Sequence, residues 1–115
     1  MAQRARERVL PLAGEIDEHK KVPAELIAEM GRLGFMGIDV PERYSGSGMD
    51  SLTYVLVVEE INRACASTGV ILCSHVSLGI EPILRAGSDA QKEKWLPALA
   101  KGEKLACFAL SEPAS

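Results

Sequence analysis

The sequence predicts an all-α domain that ends in one strand. Three observations predict it. Apolar residues recur at helical spacing in five windows. Cap and stop residues bracket those windows. A last apolar run, residues 105–110, is continuous rather than periodic and reads as a strand. With 115 residues, 47% hydrophobic and 25% charged, the chain can build one core but has no room for two domains of ordinary size.

The first window, residues 2–19, carries Val9, Leu12, Ala13 and Ile16 on one face and Arg4, Arg8, Glu15 and Glu18 on the other. Pro11 lacks an N–H and crowds the preceding turn, so the helix should bend or break there. A second helix opens at Pro23, with a stripe of Leu26, Ile27, Met30 and Leu33, and ends where Gly34 can turn left-handed. Residues 35–40 are a short apolar run, expected to be extended before Pro41, and residues 41–50 form a loop. Asp50 is an N-cap for a third helix reaching Ala64, lined by Tyr54, Val57, Val58, Ile61 and Cys65. Leu52, Val55 and Leu56 widen that face, which predicts that most of the helix is buried. A fourth helix, residues 68–78, capped by Ser67, is apolar nearly all round and therefore central. Gly79 and Pro82 should end or kink it. Ser88 and Gln91 have capping-box spacing for a fifth helix, which runs through Trp95 to Ala100 and stops at Gly102.

Composition excludes several functions. Thirteen Lys and Arg against sixteen Asp and Glu give a net charge of -3, so no basic field exists to hold a phosphate backbone. Aromatics at 4% give no base-stacking platform. The uninterrupted apolar runs are far shorter than the ~20 residues of a membrane span, and no signal-peptide core is present. The Arg-rich start resembles a transit peptide, but Glu7 interrupts it. The chain reads as soluble and cytoplasmic, or of the mitochondrial matrix in a eukaryote. Cys65, Cys73 and Cys107 lie among apolar neighbours without C-x-x-C spacing and read as buried free thiols; no cluster has metal-ligand spacing.

Taken singly, the candidate chemical motifs have plainer readings. Gly46-Ser47-Gly48 before a helix lacks the third glycine of a dinucleotide fingerprint, since Ser51 stands there, and the loop is too long. Adjacent Glu59 and Glu60 point ~100° apart on a helix and cannot flank one bond; one of them reads as buried and paired, with Arg63 or a distant Lys. His75, alone on the most apolar helix, reads as a hydrogen-bonded core or pocket residue. His19, at a helix end, reads as capping or solvated. Lys92, Lys94, Lys101 and Lys104 near Trp95 are interleaved with Glu93 and Glu103 and read as a solvated face.

Several longer motifs carry a resemblance. Residues 87–103 (GSDAQKEKWLPALAKGE), residues 107–115 (CFALSEPAS), the 34–48 stretch (GFMGIDVPERYSGSG), residues 58–61 (VEEI) and residues 66–69 (ASTG) stand in the order seen in acyl-CoA dehydrogenases, and the chain resembles that family over nearly its whole length. The resemblance implies that residues 1–104 are the family's N-terminal helical domain and residues 105–115 the first strand and turn of its middle β-domain, trimmed at both ends. It implies FAD as cofactor, an acyl-CoA substrate oxidised between its α and β carbons, an electron-transfer flavoprotein as electron acceptor, and a homotetramer. It implies no nucleic-acid partner and no membrane insertion. The family's catalytic carboxylate belongs to a later bundle, so no catalytic residue and no metal ligand is expected in this chain, which alone should be inactive.

Matched to the family's motif, Phe108, Ala109, Leu110 and Ser111 would lie beside the flavin ring. Glu112, Pro113, Ala114 and Ser115 would form the turn toward its pyrophosphate. Leu72, His75 and Leu78, with Ser115, would contact the substrate, and the form of the fourth helix resembles that of short-chain, butyryl-type members. Two alternatives stand beside this reading: a flavin-dependent oxidase or monooxygenase of the same fold, and a stand-alone helical interaction module.

Overall fold

The computed structural model describes residues 2–114. Five helical stretches fill it, and among the described residues there is no strand. Helix α1 covers residues 2–19 and changes pitch on the way: α-helical at Ala2–Arg4, π-helical at Ala5–Val9, tightened to 3₁₀ at Leu10–Leu12, and α-helical again at Ala13–His19. The tightening coincides with Pro11, as a missing donor requires. Helix α2 is Ala24–Arg32, entered from extended Pro23 and closed by Gly34 at φ +80, the left-handed turn read from the sequence. Helix α3 is Ser51–Ala64; the Asp50 carboxylate accepts from the Thr53 amide at 2.9 Å. Helix α4 is Ala66–Ala86 and α5 is Asp89–Ala100. At the start of α5, Ser88 Oγ accepts from the Gln91 amide and the Gln91 side chain accepts from the Ser88 amide, so the capping box closes.

Five local expectations are corrected. Residues 35–40 are not extended: a 3₁₀ turn at Phe35–Gly37 folds them compactly. Their carbonyls are taken by the loop that follows, since Ser47 N–H donates to Gly37, Met49 N–H to Ile38 and Gly48 N–H to Val40, all within 2.9 Å. Helix α4 neither ends nor breaks at Gly79 and Pro82. It starts at Ala66 without a side-chain cap from Ser67, and a π-helical stretch, Ser74–Ile80, precedes Pro82. Wider i to i−5 pairing there reroutes the hydrogen bonding around the proline's absent N–H. Residues 105–110 run without helix or ladder, because a strand needs a neighbour and the described residues supply none. Helix α3 is not mostly buried: Val57, Ile61 and Ala64 face the core, but Leu52, Val55 and Leu56 are more than half exposed, no element being packed over them. Of the three free thiols, Cys65 is buried, Cys73 half-buried and Cys107 exposed, since Cys107 lies on the unladdered segment.

Two apolar clusters make the core. The larger joins α1, α2, α3 and the first half of α4 through Val9, Leu26, Met30, Met36, Ile61 and Leu72. The smaller joins the second half of α4 to α5 and the 35–49 loop through Val40, Tyr44, Ile80, Leu96 and Leu99. By length and composition Ala66–Ala86 could cross a bilayer. Its Leu72, Val76 and Ile80 are instead fully buried in the two clusters, the place of a core helix.

The α5 cap gives a direct test. Ser88→Ala should lower stability by about 1 kcal/mol, read from the urea midpoint at constant m-value.

Candidate functional site

The two clusters meet at His75. Its neighbours Leu72 and Val76 belong to the larger cluster, and its hydrogen-bond partner Leu99 to the smaller. The imidazole has no exposed surface, and both ring nitrogens are used. Nε2 lies 2.9 Å from the Leu99 carbonyl, and the Ala106 amide lies 3.0 Å from Nδ1. A carbonyl only accepts and a backbone N–H only donates, so Nε2 carries the proton and Nδ1 is the acceptor. The ring is neutral. Burial pushes its pKa below the ordinary 6.5, against the opposing pull of the Leu99 and Met36 backbone.

Ala106 is thereby fastened to α4. Its methyl lies over Gly79, where any Cβ would collide with it, so the absence of a side chain at 79 permits the approach. Beyond it the chain opens. Leu105, Phe108 and Leu110 are at least half exposed. Among the described residues no hydrogen bond engages the amides of residues 107–111. A groove of about 580 Å³ runs beside this segment, lined by Pro82, Ile83, Trp95, Leu99, Leu105 and Ala106.

The predicted site residues divide between these surroundings. Leu72 and His75 are fully buried, whereas Leu78, on the same helix, is 45% exposed. Phe108, Ala109, Leu110, Ser111, Glu112, Pro113 and Ala114 form an exposed stretch, and Ser115 lies outside the described residues. The structure therefore brings His75 to the root of the 108–114 segment, while Leu72 stays inside the core. The accepting role of His75 toward Ala106 has no signature in the sequence, because 31 residues separate the partners. The closest available signal was a lone polar residue in an apolar helix.

Other candidates resolve structurally. Arg63 bridges Glu59 and Glu60, each at 2.8 Å. The amides of Gly46, Ser47 and Gly48 are spent on the carbonyls of Pro41, Gly37 and Val40, so they cannot cradle a phosphate. His19 is exposed, and the Lys94 ammonium sits 4.8 Å from the centre of the Trp95 ring. A second, polar cleft holds Asp39, Tyr54, Ser77, Glu81 and Arg85. There the Tyr54 hydroxyl meets Ser77 Oγ at 2.6 Å, and burial is the main cause that pushes the phenol up to about 12. Burial, with the nearby Glu81 carboxylate, raises the Asp39 carboxyl above its ordinary range.

Helices packed on a neutral histidine, with an exposed segment leaving beside it, define the described helical unit. Comparison with known proteins makes this specific. The model of the acyl-CoA dehydrogenase N-terminal domain matches residues 1–103, and the chain belongs to that family. It is 45% identical over 109 residues to the mitochondrial short-chain specific acyl-CoA dehydrogenase of Rattus norvegicus, covering 95% of this chain and 26% of that protein. Two solved structures are also similar. One, described as the electron transferring flavoprotein of Acidaminococcus fermentans, superposes with a TM-score of 0.93 at 38% identity, over 99% of this chain and 30% of that one. The other is an acyl-CoA dehydrogenase of Bacillus anthracis complexed with FAD, with a TM-score of 0.88 at 39% identity, over 99% of this chain and 20% of that one. The chain thus spans about a quarter of the length of the relatives it matches.

The neutral His75 sets a pH dependence. Its folded pKa lies below the unfolded value, so its contribution to stability is fully present above about 6.5. That contribution is lost as pH falls through 6.5 toward the folded value. Denaturant midpoints measured between pH 7.5 and 5 should fall in wild type, and this part of the fall should vanish in His75→Asn.

Proposed function

We propose that this chain is the N-terminal helical part of a flavin-dependent acyl-CoA dehydrogenase acting on short-chain acyl-CoA. The observation that carries the reading is the family match over residues 1–103, joined to 45% identity with a short-chain specific enzyme over 95% of the chain. In this reading residues 1–104 form the helical domain, and residues 105–115 begin the adjoining β-domain.

The exposed segment suits a flavin in its chemistry. Phe108 and Leu110 offer apolar surface to a ring, Ser111 offers a hydroxyl, and the amides of residues 107–111 are available as donors. We assign Phe108, Ala109, Leu110 and Ser111 to the side of the isoalloxazine. Glu112, Pro113, Ala114 and Ser115 we assign to the turn toward the pyrophosphate. Bound FAD would supply the redox chemistry, as acceptor of the hydride from the β carbon. The family resemblance assigns the α-proton to a carboxylate of a later bundle, and Glu59 and Glu60 of this chain are tied to Arg63 instead. This chain's task is to orient and to enclose.

For the acyl group, Leu78 is the exposed one of the three α4 residues assigned to it, and Leu72 and His75 are buried on the same helix. Bulk at this wall favours short acyl chains. Electrons pass to an electron-transfer flavoprotein, and the whole enzyme is a homotetramer of the cytoplasm or the mitochondrial matrix. The FAD complex of one similar structure supports the flavin, the flavoprotein description of another the electron acceptor, and the mitochondrial rat relative the compartment. The exposed Leu52, Val55, Leu56 and Val70 leave apolar surface for further domains or subunits.

Two measurements test the reading. In the full-length enzyme, Leu78→Ala should raise the kcat/KM ratio of octanoyl-CoA to butyryl-CoA several-fold, since a methylene in such a wall is worth about 1–3 kcal/mol. An unchanged ratio in a flavin-loaded variant would place the wall elsewhere. The 115-residue chain alone should show no butyryl-CoA-dependent dye reduction; turnover by it would contradict the assignment of the base to another part of the protein.

A further inference from the structure

We propose that His75 is a positioning residue for the flavin-side segment: Nδ1, by accepting the Ala106 amide proton while Nε2–H is anchored on the Leu99 carbonyl, fixes the register at which residues 107–111 leave the helical unit. The inference rests on the proposed function, in which that segment borders FAD. It gives His75 a different task from contact with substrate.

The geometry carries it. In an extended chain successive side chains alternate between faces, so a slip of one residue would exchange the side presented by Phe108 and Leu110 for that of Ala109 and Ser111. Ala106 ties the root of this stretch to the helical unit, and it is held twice. Its amide is bonded to Nδ1, and its methyl fills the space left by the missing side chain of Gly79, one helical turn along α4 from His75. The anchor is itself immobile, being fully buried with its second nitrogen bonded to α5. A solvent-exposed partner would share the amide with water. An apolar residue at 75 would leave the Ala106 amide without this partner and the Leu99 carbonyl with the Gly102 amide alone. The polar groups facing the ring are the backbone of Leu99, Met36 and Ala106, and no charged side chain takes part. The ring therefore stays a single tautomer at neutral pH and keeps one register.

Amide hydrogen exchange on the 115-residue chain and FAD release from the full-length holoenzyme test this together. His75→Leu removes both bonds, whereas His75→Asn keeps an oxygen near the Nδ1 position to accept from Ala106. His75→Leu should speed exchange at the Ala106 amide at least tenfold, lower the NMR backbone order parameters of residues 107–111, leave the α3 amides slow, and release FAD at least tenfold faster. His75→Asn should restore most of both effects. Because a core substitution can unfold the domain, Ala106→Pro provides a second route: it deletes the donor from a partly exposed position and should loosen residues 107–111 and FAD alike. Unchanged Ala106 exchange in a folded His75→Leu chain, or unchanged order parameters of residues 107–111 in Ala106→Pro, overturns the inference. So does FAD release at the wild-type rate from both variants. Wild-type full-length protein that holds no FAD would count against the proposed function instead. It is told apart because the exchange comparison needs no flavin.

Discussion

One neutral imidazole holds three parts of this molecule in relation. His75 takes the carbonyl at the end of α5 and the amide of the departing segment from inside α4, with no exposed surface of its own. A buried polar group is costly unless both its donor and its acceptor are engaged, and a histidine in one tautomer offers one of each on opposite edges of a small ring. Replacing it by a larger or charged group would strain the junction between the two apolar clusters. Replacing it by an apolar one would orphan the Ala106 amide. The same constraint requires the bare backbone of Gly79, since the Ala106 amide reaches Nδ1 only if its methyl can lie against α4.

The helix that carries His75 is shaped to permit this. Pro82 would ordinarily break a helix of this length, yet a π-helical stretch from Ser74 to Ile80 passes the hydrogen bonding across the gap. Widening of that kind is frequent at functional positions. Here it coincides with His75, Leu78 and Gly79, the three α4 residues that meet or adjoin the outgoing segment and the outward wall. The surface on the far side of α3 follows a different rule. Leu52, Val55 and Leu56 stay exposed because one helical stripe suffices for this core, and the excess apolar surface is what a domain of a larger assembly carries.

Much of this was legible in the sequence, for reasons that are local. Asp50, Gly34 and the pair of Ser88 and Gln91 act on backbone groups within four residues, so their positions announce helix ends directly. Arg63 with Glu59 and Glu60 was readable for the same reason. The family resemblance rested on longer motifs and proved sound across residues 1–103. What the sequence hid was non-local. Residues 35–40 looked extended because their pairing with residues 47–49 cannot be seen in a periodicity. Residues 105–110 looked like a strand because composition reports side-chain preference and not the presence of a neighbour. The persistence of α4 past Pro82 depends on packing at both of its ends. His75 was marked as unusual, yet its partners lie 24 and 31 residues away, beyond the reach of any spacing rule.

The central claim is the protonation state and bonding of that ring, and nitrogen NMR of His75 in the wild-type chain at pH 7 tests it most directly. Long-range proton–nitrogen correlation distinguishes the two neutral tautomers from each other and from imidazolium. The account predicts a neutral ring with the proton on Nε2, an unprotonated Nδ1 shifted by an accepted hydrogen bond, and an Ala106 amide proton displaced downfield. A ring protonated on Nδ1, or charged at pH 7, would contradict it.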